Sequence, residues 1–116
     1  MASSNLAIRF AAETLRSLAF GSISGTYAAV GSALINPARQ FMIVNNTNIL
    51  LTFSFDGTND HFVLLPGTSF IDDVMTNKAS TGGSWALPHG AILYVKGEPA
   101  SGSVYFSVFY GAGVTI

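Results

Sequence analysis

The densest cluster of residues that could do chemistry is Asp56-Gly57-Thr58-Asn59-Asp60-His61, between two predicted strands. Carboxylate and carbonyl oxygens are the ligands that Ca²⁺ takes, so Asp56 and Asp60 are the candidate residues for a calcium site. The spacing lacks the alternating acidic positions and the distal Glu of an EF-hand loop. The alternative is a tight turn in which the Asp56 side chain accepts local N–H groups and Gly57 takes a positive φ. The sequence favours the turn, and it predicts neither a metal site nor a cofactor.

Other groups that could support catalysis are scattered along the chain. His61 and His89 each lie at a predicted strand edge or turn, and no serine lies in the G-x-S-x-G pattern of a nucleophile elbow. Asp72 and Asp73 are adjacent, and adjacent strand residues point to opposite faces, so they make a poor acid–base pair. We therefore expect no catalytic residues and a protein that is not an enzyme.

The chain is poor in charge. Five Lys or Arg and six Asp or Glu make up 9% of its 116 residues, whereas hydrophobic residues make up 49%. The usual charged fraction is about 25%. Mixed surface charge keeps the copies of a protein apart, so we expect another protein to cover part of this surface. The net charge of −1 offers no broad attraction to nucleic acid, and the apolar runs are too short for a spanning helix. Neither nucleic acid nor a membrane is an expected partner.

The pattern of polarity predicts a β fold. From residue 39 onward polar and apolar residues alternate, and turn residues recur about every ten positions, which is typical of a β-sandwich or barrel. We expect one all-β domain: a single antiparallel β-sandwich or jelly roll of about seven to nine strands in residues 39–116, preceded by a less regular segment in residues 1–38. The predicted strands are Gln40–Asn46, Leu50–Asp56, His61–Leu65, Ser69–Val74, Ser84–Leu87, Ile92–Lys96 and Ser103–Tyr110.

Residues 1–38 permit two interpretations. Ala11–Leu18 could form one or two helical turns, or Arg16–Phe20 could be a strand with Leu18 and Phe20 facing inward. The segment from Tyr27 to Ile35 is rich in small residues and is predicted to be irregular or a weak strand. The first five residues are predicted to be a flexible arm.

The last predicted strand is apolar on both of its faces. One face carries Val104, Phe106, Val108 and Tyr110. The opposite face carries Tyr105, Ser107 and Phe109, which is too aromatic for a face that only meets solvent. A contact with another subunit would explain this second face.

The interface candidates are the aromatic residues Tyr105, Phe109, Trp85 and Tyr94. An alternative use of Trp85 and Tyr94 is a stacking platform for sugar rings, which would make the chain a small carbohydrate-binding module. Exposed, coplanar aromatic rings near these two residues would favour that alternative.

A series of turns and strand ends has a familiar order. It comprises Ala38-Arg39-Gln40 before an apolar strand, Asn45-Asn46-Thr47, the run Ser54 to His61, Leu65-Pro66-Gly67, Tyr94-Val95-Lys96-Gly97 and Ser101-Gly102-Ser103-Val104-Tyr105. In these features the stretch from Arg39 to Tyr110 resembles small virion proteins of tailed bacteriophages, which are commonly β-sandwiches or jelly rolls.

The resemblance implies a non-enzymatic role in a virion that is assembled in the host cytoplasm. A capsid decoration (cement) protein is the first expectation, and a head–tail connector, collar, tail or fibre-attachment subunit is the alternative. The implied partners are copies of the chain itself, in a trimer or ring, and other virion proteins such as the major capsid protein or the connector.

Overall fold

The computed structural model describes residues 6–73 and 87–115. Within these ranges the protein is all-β, as predicted, with nine strands in two antiparallel sheets and a single 3₁₀ turn at Phe20–Ser22. The strands are β1 Leu6–Ala12, β2 Arg16–Ala19, β3 Ala28–Ala29, β4 Gln40–Thr47, β5 Leu51–Ser54, β6 Phe62–Leu64, β7 Thr68–Asp73, β8 Tyr94–Lys96 and β9 Gly102–Thr115.

The first sheet is built around the long strand β9. Strand β4 pairs with one edge of β9, from Gln40 opposite Phe109 to Thr47 opposite Gly102. Strand β7 pairs with the far edge of β4. Strands β2 and β1 pair in turn with the other edge of β9. The order across the sheet is therefore β1-β9-β4-β7, with β2 in line with β1.

The second sheet has the order β3-β8-β5-β6. A separate bridge pairs Ala38 with Leu87, just before β4 begins. The inward residues of both sheets alternate with outward ones and form one core. The buried hydrophobic residues are Ile23, Val30, Leu34, Ala38, Phe41, Ile43, Leu51, Phe53, Leu64, Leu93, Val95, Val104, Phe106 and Val108.

One buried polar side chain joins the two sheets. Asn45 in β4 is fully buried, and its amide nitrogen donates to the carbonyl oxygens of Ile49 and Leu64, each at 2.9 Å. Its carbonyl oxygen accepts from the backbone N–H and the hydroxyl of Thr47. Because every polar atom of the amide is paired, the hydrogen bonds of Asn45 offset the cost of its burial and fix the position of β4 against β6.

Strand bounds differ from prediction where side chains bond to the backbone. The strand predicted at Leu50–Asp56 ends at Ser54, because the Ser54 hydroxyl accepts the N–H groups of Asp56 and Gly57 and starts the turn there. This turn folds over Ser54, which is fully buried. The last strand is longer than predicted and reaches Thr115, because β1 provides a ladder partner. Of the strand predicted at Ser84–Leu87, only Leu87 lies within the described residues.

The N-terminal segment is strand rather than helix. Strand β2 confirms the interpretation of Arg16–Phe20 up to Ala19, and Leu18 packs against the core. Phe20 does not face inward as expected, since it lies in the 3₁₀ turn and is 42% exposed. The helical alternative for Ala11–Leu18 is wrong, because Leu6–Ala12 pairs with β9. The predicted flexible arm lies outside the described residues.

We expect Gly102→Ala to destabilise the sandwich strongly. Gly102 has a φ of +91°, and a Cβ atom there would lie 1.9 Å from the carbonyl oxygen of Asn46 in β4. The strained φ and the forced backbone shift should together lower the free energy of unfolding by more than about 3 kcal/mol, measured by urea denaturation.

Gly67→Ala is the matched control. Gly67 has a φ of +75°, but a Cβ atom would meet nothing within 4 Å. This variant should lose only about 1 kcal/mol, which is the cost of the positive φ alone. Equal losses in the two variants would show that the close approach of β9 and β4 at Gly102 is unimportant.

Candidate functional site

The outer face of the five-stranded sheet is poor in charge. Residues directly opposite each other in a ladder lie on the same face, and Met42 in β4 lies between Ser107 of β9 and Ile71 of β7. The outward residues whose side chains are described are Phe10 and Ala12 in β1, Ser17 and Ala19 in β2, Gln40, Met42, Val44 and Asn46 in β4, Ser69, Ile71 and Asp73 in β7, and Ser103, Tyr105, Ser107, Phe109 and Gly111 in β9. We call this set the outer face.

The outer face carries large hydrophobic side chains and almost no charge. Ile71 is 61% exposed and Phe10 is 62% exposed. The ring of Phe10 stacks on that of Phe109, with 5.1 Å between centroids. Asp73, at the end of β7, is the single charged residue among the described side chains of this face. Exposed hydrophobic side chains therefore cluster on this face of the sheet.

Two of the four interface candidates lie on the same face of the five-stranded sheet. Tyr105 and Phe109 both lie on the outer face, half-buried, as the alternation of β9 predicted. Tyr94 lies elsewhere, in β8 of the second sheet, and its ring packs on the turn at Gly57, where a Cβ atom would lie 3.3 Å from it. Trp85 lies outside the described residues.

The turn that begins at Ser54 and ends at His61, which we call the acidic turn, binds the carboxylate of its own Asp56. Asp56 accepts hydrogen bonds from the N–H groups of Thr58 and Asn59 and from the side chains of Asn59 and Ser54. The Asn59 side chain, followed by these backbone groups, holds the pKa of Asp56 well below its usual range. Gly57 has the predicted positive φ, at +75°. This is the local N–H capping that the sequence analysis favoured over a calcium site.

Asp60 faces a different set of groups from Asp56. Its carboxylate accepts from the Tyr27 hydroxyl at 2.5 Å and pairs with Lys96 at 2.9 Å. The Tyr27 hydrogen bond and Lys96 lower the pKa of Asp60, whereas burial and that same bond raise the pKa of Tyr27 to about 12. No group of three or more His, Cys, Asp or Glu side chains converges as metal ligands within residues 6–73 and 87–115.

The two histidines have separate surroundings. His61 accepts the N–H of Phe55 at Nδ1, 2.9 Å away, and its Nε2 lies 3.6 Å from Asp56. His89 is exposed in the turn after Pro88, where Gly90 donates to Leu34 and Ala91 to Pro88. Their positions match the predicted turn and strand-edge locations.

A buried ion pair that sequence reasoning missed lies between β1 and β2. The side chains of Glu13 and Arg16 are 5% and 6% exposed and meet at 2.7 Å. Arg16 also donates to the carbonyl oxygens of Ser32 and Ala33, and Glu13 accepts from the backbone of Ile35 and from the backbone and side chain of Asn36. One signal in the sequence was an acid and a base three residues apart within an otherwise apolar stretch.

The ion pair has a structural role at a bulge. Ala12 pairs with Phe109 and Arg16 pairs with Phe106. The segment that joins β1 to β2 is therefore one residue longer than the part of β9 that it faces. The pair lines a shallow cleft of about 420 Å³ and holds the loop of residues 31–36 against this bulge. Both charged side chains form hydrogen bonds with backbone groups of that loop, so their role lies within the fold.

Comparison with family models gave no match, and neither the curated proteins nor the solved structures include a significant match. Within the described parts of the chain no helix is long and apolar enough to cross a membrane.

We expect Glu13→Gln to lower stability at pH 7 by about 3 kcal/mol, because it leaves the buried Arg16 charge uncompensated. Burial alone would raise the pKa of Glu13, but the hydrogen bonds from Arg16, Asn36 and Ile35 outweigh it, so the pKa lies below its ordinary value of 4.5. A depressed pKa stabilises the fold above pH 4.5 and loses that contribution as the pH falls through the folded-state pKa. The difference between wild type and variant should therefore shrink on acidification below this value.

Denaturation midpoints at several pH values test this expectation. Glu98→Gln is the control, since Glu98 is exposed and the change should stay within about 0.5 kcal/mol. A constant difference between wild type and Glu13→Gln from pH 7 to pH 3 would contradict the proposed electrostatic role.

Proposed function

We propose that this chain is a non-enzymatic structural subunit of a tailed-phage virion, which associates with its own copies and with other virion proteins. The observation that carries the proposal is the outer face of the five-stranded sheet, where β4, β7 and β9 place Met42, Ile71, Tyr105 and Phe109 and where Asp73 is the single charged residue among the described side chains. A sheet that packs its core on one face needs polar residues on the other if that face stays in water. The Met and aromatic residues of this face are of types that are enriched in protein interfaces.

The few charges of the chain support the same role. Glu13 is paired with Arg16 inside the fold, and Asp60 with Lys96 beside the acidic turn. Neither pair lies on the outer face, where Asp73 is the single charged residue among the described side chains, so little charge opposes contact between copies there. Permanent association is therefore the state in which this surface is stable.

Capsid decoration is the role that we favour within a virion, and a head–tail connector, collar or tail subunit is the alternative. Purified protein added to empty expanded capsids separates them. A decoration protein should bind the capsid in many copies, whereas a connector should form rings in isolation. Absence of the chain from purified particles of its phage would overturn the virion role altogether.

A charge placed on the outer face should prevent assembly without unfolding the subunit. In Phe109→Asp and Ile71→Asp, a carboxylate would have to be desolvated in the contact, which costs several kcal/mol when it has no partner. We expect incorporation into particles to fall by at least about tenfold, with a melting temperature within about 5 °C of wild type.

Val63→Asp is the matched control. Val63 is also an exposed strand residue, 53% exposed, but it lies in β6 of the other sheet. This variant should be incorporated like the wild type. Equal incorporation of all three variants would contradict the outer face as the assembly surface.

A further inference from the structure

The two ends of the acidic turn are joined by a side chain as well as by the backbone. The N–H of His61 donates to the carbonyl oxygen of Phe53 at 3.0 Å, at the end of the ladder between β5 and β6. One step further into the turn, the N–H of Phe55 donates to Nδ1 of the His61 imidazole, 2.9 Å away. The imidazole nitrogen therefore takes the place of a main-chain acceptor.

This hydrogen bond requires a neutral imidazole. A histidine ring nitrogen accepts a hydrogen bond only when it carries no proton. While Phe55 donates to Nδ1 of His61, the single proton of the ring must therefore lie on Nε2. Nε2 is 3.6 Å from a carboxylate oxygen of Asp56, which is longer than a hydrogen bond. The neutral ring is thus held at Nδ1.

Two carboxylates face His61 from its own turn. Asp56 lies beside Nε2, and the charges of Asp60 and His61 lie close enough to interact. The Asn59 side chain lowers the pKa of Asp56, and the Tyr27 hydrogen bond lowers that of Asp60, from an ordinary value of 3.8. Both carboxylates are therefore still charged at pH 5, where a histidine ordinarily carries a proton.

Side chains of β8 contact the turn at other residues. Lys96 pairs with Asp60 at 2.9 Å, and the ring of Tyr94 packs on Gly57. The charge of Lys96 opposes a second cation nearby, but it is itself paired with that carboxylate. These contacts hold the turn against the second sheet and do not require a neutral imidazole at His61.

We infer that His61 is a pH-sensitive latch on the acidic turn, closed when its neutral imidazole accepts the Phe55 N–H and opened by protonation. A proton on Nδ1 would point at the Phe55 N–H, so the two donors must separate. The charged ring is then attracted to the carboxylate of Asp56. The latch is independent of the proposed function, because it joins β5 to β6 of the second sheet and does not lie on the outer face.

The latch acts on one corner of the core. The His61 ring stacks on the ring of Phe55, with 6.4 Å between centroids, and Phe55 meets Phe41 edge-on at 6.3 Å. Phe41 is a buried residue of β4. Loss of the acceptor for the Phe55 N–H therefore loosens the place where the turn meets the core, and acid should increase local opening there.

Amide hydrogen exchange at Phe55 tests the latch. The protection factor compares the measured exchange rate with that of an unstructured peptide at the same pH, so it removes the intrinsic effect of pH. We expect the protection of the Phe55 N–H to fall at least about tenfold between pH 8 and pH 5, because its acceptor is lost. Equal protection at the two pH values would overturn the latch.

His61→Asn keeps an acceptor but removes the titrating ring. The side-chain oxygen of Asn accepts a hydrogen bond at either pH, so the protection of Phe55 should no longer differ between them. His89→Asn is the matched control, since His89 is exposed in a different turn, and it should keep the full pH dependence. A pH dependence that survives His61→Asn, or disappears in His89→Asn, would assign the response to another group and overturn the latch.

Nuclear magnetic resonance of the imidazole provides a readout that does not depend on substitutions. At pH 8 the nitrogen chemical shifts of His61 should identify Nδ1 as unprotonated and Nε2 as protonated. The opposite tautomer at pH 8 would mean that Nδ1 does not accept the Phe55 N–H, and would overturn the latch.

Discussion

The backbone of β9 is the constraint on which the rest of the structure depends. Its first eight residues pair with β4 on one edge, and on the other edge β2 pairs with residues 103–106 and β1 with residues 109–115. Its inward side chains Val104, Phe106 and Val108 lie at the centre of the core. Every buried N–H and C=O must be paired, so the neighbours of β9 fix where the sheet ends as well as where it is packed. The close approach at Gly102 sets the register of this ladder.

Buried polar side chains fix the positions of strands and loops inside the fold. Asn45 joins β4 to β6 through its amide, and Glu13 with Arg16 holds the loop of residues 31–36 at the bulge between β1 and β2. The amide of Asn45, whose polar atoms are all paired, specifies one arrangement more strictly than apolar contacts do. Among the described side chains on the outside of the five-stranded sheet, Asp73 is the single charged one.

The proposed function concerns the outer face of the five-stranded sheet, where contact with other virion proteins is proposed. Exposed hydrophobic side chains such as Phe10 and Ile71 on one face of a sheet are a feature that a protein standing alone in water avoids.

The amino-acid sequence alone determined the class of fold and the apolar second face of the last strand. The alternation of Val104, Phe106 and Val108 with Tyr105 and Phe109 is a local property, so it could be predicted from the order of residues. The turn at Asp56 and Gly57 was equally local, because it depends on side-chain oxygens next to the backbone that they accept from. Only the tertiary structure decided that Leu6–Ala12 is a strand, that Tyr94 lies away from Tyr105, and that Glu13 and Arg16 are buried together. These features depend on which distant segments lie beside each other, and the pairing of strands far apart in the chain is set by the shared core and by the ladder of β9 rather than by neighbouring residues.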